Sequence, residues 1–237
     1  MIVGSIKEDV NLEKRVSVTP ETAKNIIALG LSVNLEKNYA IHLGVSDKQY
    51  EDTGVKFYNN SKEVIDNSNL ILKVNYPTED EIKTIKEKTI LVGIFNPSKN
   101  REKFKELLKK KINIFSLELL PRISRAQSMD VLSSQSNLAG YRAVIESIYE
   151  FEKAVPMMMT AAGTVPAAKV LVVGAGVAGL QAIATAKRLG AIVSATDVRA
   201  ASKEQVESLG GKFLMVEQDE NLETTGGYAK EASEEFK

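Results

Sequence analysis

The sequence predicts an α/β protein with two domains, each built on a parallel sheet that is covered by helices. Short apolar runs alternate along the chain with amphipathic stretches, a pattern typical of parallel strands joined by helices. The apolar runs are nearly continuous, as expected of strands that are buried on both faces. The length of 237 residues fits two modest domains, and 43% hydrophobic residues is typical of a water-soluble globular protein.

The N-terminal domain is expected to cover residues 1–132. Thr19, Pro20 and Glu21 predict the start of a helix, because they offer an N-cap, a proline at the first helical position and an acid in the first turn. Gly30 offers the end of that helix. The strands predicted in this domain are 3–6, 70–74, 89–95 and 112–117. The further helices predicted are 79–86 and 99–109.

A long helix is expected to connect the two domains. Apolar residues recur at helical spacing from Ser133 to Ala154, and Pro156 ends the pattern, so the connecting helix is assigned to residues 133–155. The second domain then covers residues 156–237. Its predicted elements are a strand at 169–173, a helix at 180–189, a strand at 191–196, a helix at 198–209 and a strand at 212–216.

A glycine-rich turn joins the first strand and helix of the second domain. It contains Gly174, Ala175, Gly176, Val177 and, after one more residue, Gly179. The first glycine suits a tight turn, the second lets the backbone approach a pyrophosphate, and the third lets helix and strand pack closely. The helix N-terminus offers amide donors to the phosphates. This order is typical of a Rossmann dinucleotide-binding domain.

An acidic residue follows the next strand. Asp197 is positioned to accept both hydroxyls of an adenosine ribose and to repel a 2′-phosphate, which favours NAD(H) over NADP(H). Val198 and Arg199 are expected to flank the nucleotide, and Arg199 softens that preference. The glycines alone would also fit a plain strand-to-helix turn, but the strand, the helix and the acid together favour dinucleotide binding.

The second domain is predicted to be a Rossmann domain that is truncated after its first βαβαβ half. The 21 residues after Val216 are too few for the three further strands that a complete doubly wound sheet needs.

Composition excludes several classes of function. Lys and Arg number 31 and Asp and Glu number 31, so no net positive charge attracts nucleic acid or an anionic membrane. Without cysteine and with His42 as the only histidine, a metal site is not expected. No apolar run approaches the roughly 18 residues of a membrane span, and no signal peptide is recognised, so a cytoplasmic location is expected.

Several long runs resemble the NAD(H)-binding domain of the alpha subunit of proton-translocating NAD(P) transhydrogenase. These runs are 121–144, 159–166 and 174–210, and residues 225–236 resemble the mobile loop of that family. The resemblance implies that NADH bound here passes a hydride to NADP+ on a partner domain or chain, coupled to proton movement through a membrane-embedded part. It also implies a homodimer that sits peripherally on the cytosolic face of the inner membrane.

The resemblance also assigns residues to the reactive end of the cofactor. Arg122, Gln127, Asp130 and Ser133 match a loop that reaches the nicotinamide, and Tyr228 matches the tyrosine that closes over the nucleotide. From the residue types alone, Arg122 and Asp130 would form a surface salt bridge and the serines would cap helices.

Two alternative functions stay open. The chain could be a truncated or non-catalytic nucleotide-binding fragment, or a fragment completed by a second chain that supplies the other Rossmann half. It also resembles alanine dehydrogenase, whose substrate-holding positions match Arg15 and Lys73. That enzyme needs an acid/base histidine after the strand at 91–95, and residues 93–100 contain none, so Arg15 and Lys73 are interpreted as structural or ion-pairing residues.

Overall fold

The computed structural model describes residues 1–121 and 123–215. The chain divides into two compact units, the first from Met1 to Met129 and the second from Asp130 onward. Each unit contains a parallel sheet, so the α/β class predicted from the sequence is confirmed. The domain limits predicted at residues 132 and 155, and the connecting role of the helix between them, stay predictions.

The first unit is built on six parallel strands. In chain order they are β1 (Ile2–Ser5), β2 (Ser32–Glu36), β3 (Lys56–Tyr58), β4 (Leu70–Leu72), β5 (Ile90–Gly93) and β6 (Asn113–Ser116). Their order across the sheet is β3-β2-β1-β4-β5-β6. The direction of winding therefore reverses between β1 and β4, and open α/β sheets place ligands or polar side chains at the carboxyl ends of such strands.

Five α-helices connect these strands, and their starts follow local sequence signals. They are α1 (Pro20–Ala28), α2 (Asp47–Glu51), α3 (Ser61–Asp66), α4 (Glu79–Thr84) and α5 (Arg101–Lys109). The Thr22 amide donates to the Thr19 hydroxyl, so Thr19 caps α1 as predicted. Thr78 and Glu81 form a capping box at the start of α4. Short 3-10 turns lie at Ile41–Leu43, Leu117–Leu119 and Ser124–Met129.

Strands β2 and β3 were not predicted from the sequence. The β2 sequence carries a polar residue, Asn34, which is buried in the folded unit. Its side-chain amide donates to the carbonyl oxygen of Asn67 at 2.9 Å, and this bond makes the burial acceptable. Because that partner lies 33 residues away, an apolar pattern could not reveal the strand.

The second unit contains a long helix, a hairpin and a parallel βαβαβ unit. The elements are α6 (Val131–Phe151), β7 (Met158–Thr160), β8 (Gly163–Val165), β9 (Lys169–Val173), α7 (Val177–Arg188), β10 (Ile192–Thr196), α8 (Ser202–Ser208) and β11 (Lys212–Phe213). The antiparallel β7-β8 hairpin was not predicted. Strands β9, β10 and β11 are parallel in the order β11-β10-β9, which is the predicted first Rossmann half.

Helix α6 ends earlier than the sequence pattern suggested. Its C-cap is Glu152, which has a left-handed φ of 54°, so the helix stops at Phe151 rather than near Ala154. Within the second unit α6 packs tightly on α7, because a Cβ at Gly140 would overlap the carbonyl oxygen of Ala178 in the first turn of α7. This close contact fixes the N-terminal end of α7, which follows the glycine turn.

Candidate dinucleotide-binding site

The turn between β9 and α7 depends on glycine at its first position. Gly174 has a φ of +92°, a conformation that residues with a side chain rarely adopt. Its amide donates to the carbonyl oxygen of Thr196 at 2.8 Å, so the turn begins against the end of β10. The chain then enters α7 at Val177, with Gly176 as the N-cap residue.

The other two glycines of the turn have different surroundings. A Cβ built on Gly179 would overlap the carbonyl oxygen of Gly174, so this glycine is required for helix and turn to pack. A Cβ built on Gly176 would meet no atom within 4 Å, and the residue is exposed. Gly176 therefore leaves open space directly in front of the helix, where an approaching group can reach the backbone.

The N-terminus of α7 can receive an anion. The helix has 12 residues, and no side chain makes a capping hydrogen bond at its N-cap. The first amides of such a helix, together with its dipole, attract phosphate groups. Open space at Gly176 and these amide donors fit the pyrophosphate of a dinucleotide.

Asp197 is held directly beside this turn. Its Oδ2 accepts a hydrogen bond of 2.6 Å from the Ala175 amide, which links the ends of β9 and β10. Oδ1 accepts from the Arg199 amide at 2.8 Å and from Arg199 Nε at 2.9 Å, and Oδ2 accepts from Arg199 Nη2 at 2.9 Å. The acid predicted from the sequence is therefore brought to the glycine turn, as ribose recognition requires.

Asp197 is ionised in this position. Burial by itself would raise the pKa of the Asp197 carboxyl, but the hydrogen bonds from Arg199 and from the Ala175 amide outweigh burial and hold the pKa below its ordinary value. The side chain is 5% exposed, whereas that of Arg199 is 18% exposed. The carboxylate can therefore act as an acceptor throughout the neutral pH range.

A separate charged cluster occupies the switch point of the first sheet. Lys73, which follows β4 and is 3% exposed in its side chain, donates to both carboxylate oxygens of Glu81 at 3.0 and 2.8 Å. Glu8, which follows β1, lies 3.7 Å from the same ammonium and accepts a bond of 2.7 Å from the Val74 amide. Burial raises the pKa of the Glu8 carboxyl, against the opposing effect of Lys73.

The chain matches two family models along most of its length. Residues 4–139 match the alanine dehydrogenase/PNT N-terminal domain, and residues 143–233 match the alanine dehydrogenase/PNT C-terminal domain. The chain belongs to the alanine dehydrogenase/PNT family.

Within this family the chain is more similar to transhydrogenases. It is 52% identical over 232 residues to the first of the separate chains that form NAD(P) transhydrogenase subunit alpha in Rhodospirillum rubrum, a match that covers 95% of this chain and 60% of the relative. It is 48% identical to the protein of the same name in Rickettsia prowazekii, covering 100% of this chain and 63% of the relative. The chain thus spans less than two thirds of the length of these relatives. An alanine dehydrogenase of Methanococcus maripaludis is 30% identical, over 84% of this chain and 53% of that relative.

Solved structures give the same ranking. The transhydrogenase of Sinorhizobium meliloti has a TM-score of 0.87 and 49% identity, covering 91% of this chain and 64% of that protein. An L-alanine dehydrogenase has a TM-score of 0.78 at 24% identity, covering 92% and 61% respectively, so it supports the fold alone. The resemblance to transhydrogenase alpha subunits that the sequence indicated is confirmed.

The residues expected at the nicotinamide end differ in what the structure describes. Arg122 and Tyr228 lie outside the described residues. Asp130 is the N-cap of α6, and its carboxylate accepts from the Ser133 amide at 2.9 Å and from the Ser133 hydroxyl at 2.6 Å. Gln127 is an exposed residue of the 3-10 turn Ser124–Met129 in the first unit. Asp130 and Ser133 are thus brought together, with Asp130 rather than a serine as the cap.

Some residues that shape the site carried no signal in the sequence. Gly140 stands in the middle of a helical pattern, where a glycine has no evident purpose, yet its contact with Ala178 fixes α7. The neighbours of Asp197 and Gly176, namely Val198 and Val177, have the predicted positions, and Val177 is 40% exposed at the first turn of α7. In residues 1–121 and 123–215, no helix has both the length and the apolar character to cross a membrane.

Proposed function

We propose that this chain is the NAD(H)-binding part of a proton-translocating transhydrogenase. In the proposed reaction, bound NADH passes a hydride to NADP+ held on a partner domain or chain, and membrane-embedded partners couple this transfer to proton movement. The proposal depends on one observation, the ionised Asp197 carboxylate held against the Ala175 amide beside the N-terminus of α7. The names of the similar proteins support the reaction class.

The adenosine end of the cofactor is assigned to the glycine turn. The pyrophosphate would lie over Gly176 and the first amides of α7, including that of Val177, because the space there is open. The two ribose hydroxyls would donate to Asp197, flanked by Val198 and Arg199. Gly174 and Gly179 would act through the shape of the turn rather than through direct contacts.

The reactive end is assigned to Arg122, Gln127, Asp130 and Ser133, with Tyr228 closing over the nucleotide. NAD(H), when bound, supplies the hydride. Transfer between two nicotinamides moves no proton to or from a substrate heteroatom, so these residues need only orient the ring and exclude water. Hydroxyl, amide and carboxylate groups suffice for that purpose.

The proposal includes an assembly. The helix at 133–155 would connect an N-terminal domain (1–132) to the nucleotide-binding domain (156–237), and the domain would form a homodimer. It would bind peripherally, through protein contacts, to membrane-embedded partners at the cytosolic face of the inner membrane. A further chain that supplies the rest of the Rossmann sheet would be a partner at the open edge of β9.

The test measures NADH binding and hydride transfer separately. NADH is titrated into the purified chain, and transfer to NADP+ is then followed after addition of an NADP-binding partner. Asp197→Asn should weaken NADH binding by about tenfold or more, since two charge-assisted hydrogen bonds lose their charge. Asp52→Asn removes an exposed carboxylate of the first unit and serves as the control, with no expected effect. Unchanged NADH affinity in Asp197→Asn would refute the site.

Two other outcomes separate the alternative functions. NADH binding without hydride transfer to any NADP-binding partner would favour a non-catalytic nucleotide-binding fragment. NAD-dependent oxidation of alanine would favour the alanine dehydrogenase class. We expect none, because Lys73 is enclosed by Glu8 and Glu81, and residues 93–100 contain no histidine.

A further inference from the structure

Every acceptor position of the Asp197 carboxylate is used in this structure. A carboxylate has two oxygens with about four lone-pair positions in total. The described donors to Asp197 are also four, namely the amides of Ala175 and Arg199 and two nitrogens of the Arg199 guanidinium. A ribose that donates both of its hydroxyls to Asp197 therefore needs two positions that are already filled.

The four donors differ in how easily they can leave. The two amides belong to the backbone, at the turn after β9 and at the residue two after Asp197, so their positions are set by the fold. The guanidinium belongs to a flexible side chain that is 18% exposed, whereas Asp197 is 5% exposed. The guanidinium thus lies nearer to solvent and can move away without crossing the core.

We propose that Arg199 determines nucleotide selectivity by occupying on Asp197 the place that the ribose hydroxyls take when a dinucleotide binds. This inference rests on the proposed function, since it requires that a dinucleotide binds at the glycine turn. NADH binding then exchanges the two guanidinium bonds for two hydroxyl bonds. Breaking the Asp197–Arg199 ion pair offsets part of the gain from ribose recognition.

The same pair affects a dinucleotide with a 2′-phosphate in the opposite direction. Such a nucleotide has lost one hydroxyl donor and brings negative charge towards Asp197. A guanidinium beside Asp197 cancels its charge, and after release it can pair with the phosphate. Arg199 therefore weakens NADH binding and strengthens NADPH binding, which narrows the selectivity that Asp197 alone would give.

The test is a fluorescence titration of NADH and of NADPH against four forms of the purified chain: wild type, Arg199→Ala, Arg199→Lys and Asp197→Asn. In Arg199→Ala we expect NADH to bind roughly tenfold more tightly and NADPH roughly tenfold more weakly, because one bidentate ion pair is removed. Arg199→Lys should give smaller shifts of the same sign, since an ammonium cannot form the fork. This second variant keeps the positive charge in case Arg199→Ala does not fold.

A matched control separates this effect from a general loss of positive charge. Arg188→Ala removes an exposed arginine at the other end of α7, about 18 Å from its start, and should change neither affinity. If Asp197→Asn weakens NADH binding while Arg199→Ala weakens it or leaves it unchanged, the proposed function stands and the role of Arg199 is refuted. If Asp197→Asn leaves NADH binding unchanged, or the wild-type chain binds no NADH, both proposals fail.

Discussion

Replacing Lys73 with methionine should reduce the stability of the first unit far more than replacing an exposed lysine. Lys73 is 3% exposed and lies between two carboxylates, Glu81 at 2.8 Å and Glu8 at 3.7 Å. Methionine fills a similar unbranched volume but carries no charge. The substitution therefore leaves two poorly solvated carboxylates without their shared cation.

The expected loss is about 3–5 kcal/mol of unfolding free energy at pH 7, the usual effect of removing one partner from a buried ion pair. The loss should depend on pH. Burial already raises the pKa of Glu8 above its ordinary value of 4.5, and removal of Lys73 removes the main opposing effect, so the pKa rises further. A group with a raised pKa in the folded state favours folding below its unfolded pKa and loses that contribution as the pH rises. The penalty should therefore shrink from pH 8 towards pH 5.

The assay is urea unfolding followed by circular dichroism between pH 5 and 8. Lys83→Met is the matched control, because Lys83 forms an exposed pair with Asp80 on α4 and should give no measurable loss. In the double variant Lys73→Met/Glu8→Gln, part of the stability should return and the pH dependence should flatten. Equal losses in Lys73→Met and Lys83→Met, or a penalty that grows towards pH 5, would refute a buried structural role for Lys73.

Three further predictions concern the second unit. Gly179→Ala should destabilise the unit by about 1–3 kcal/mol or more, because its Cβ overlaps a backbone carbonyl, whereas Gly176→Ala should keep thermal stability and weaken NADH binding; calorimetry and titration distinguish them, and equal stability losses would contradict the assignment. Asp130→Ala should cost about 1 kcal/mol in urea unfolding, since the cap of α6 is lost, and an unchanged midpoint would contradict its role as the cap. Val173→Thr should reduce self-association in light scattering, because this residue is 78% exposed on the open edge strand β9; unchanged scattering would exclude that edge as the contact.

The nucleotide site was predictable because its signals are local in sequence. The order of strand 169–173, glycine turn and helix fixes a single βα unit, and Gly174 indeed has the positive φ that the motif requires. The approach of Asp197 to Ala175 was predictable as well, since adjacent parallel strands bring their carboxyl ends together. Strands such as β2, whose buried Asn34 is satisfied by a distant carbonyl, gave no such local signal.

The sequence by itself determined the α/β class, the dinucleotide turn and the acid that follows β10, because each depends on residue types at short, fixed spacing. Only the tertiary structure decided which groups meet. It brings Glu8, Lys73 and Glu81 together at the switch point of the first sheet and fits α6 against α7 at Gly140. It also gives all four acceptor positions of Asp197 to Ala175 and Arg199. These contacts depend on strand order and on burial, which govern desolvation and hydrogen bonding, and neither can be determined from spacing along the chain.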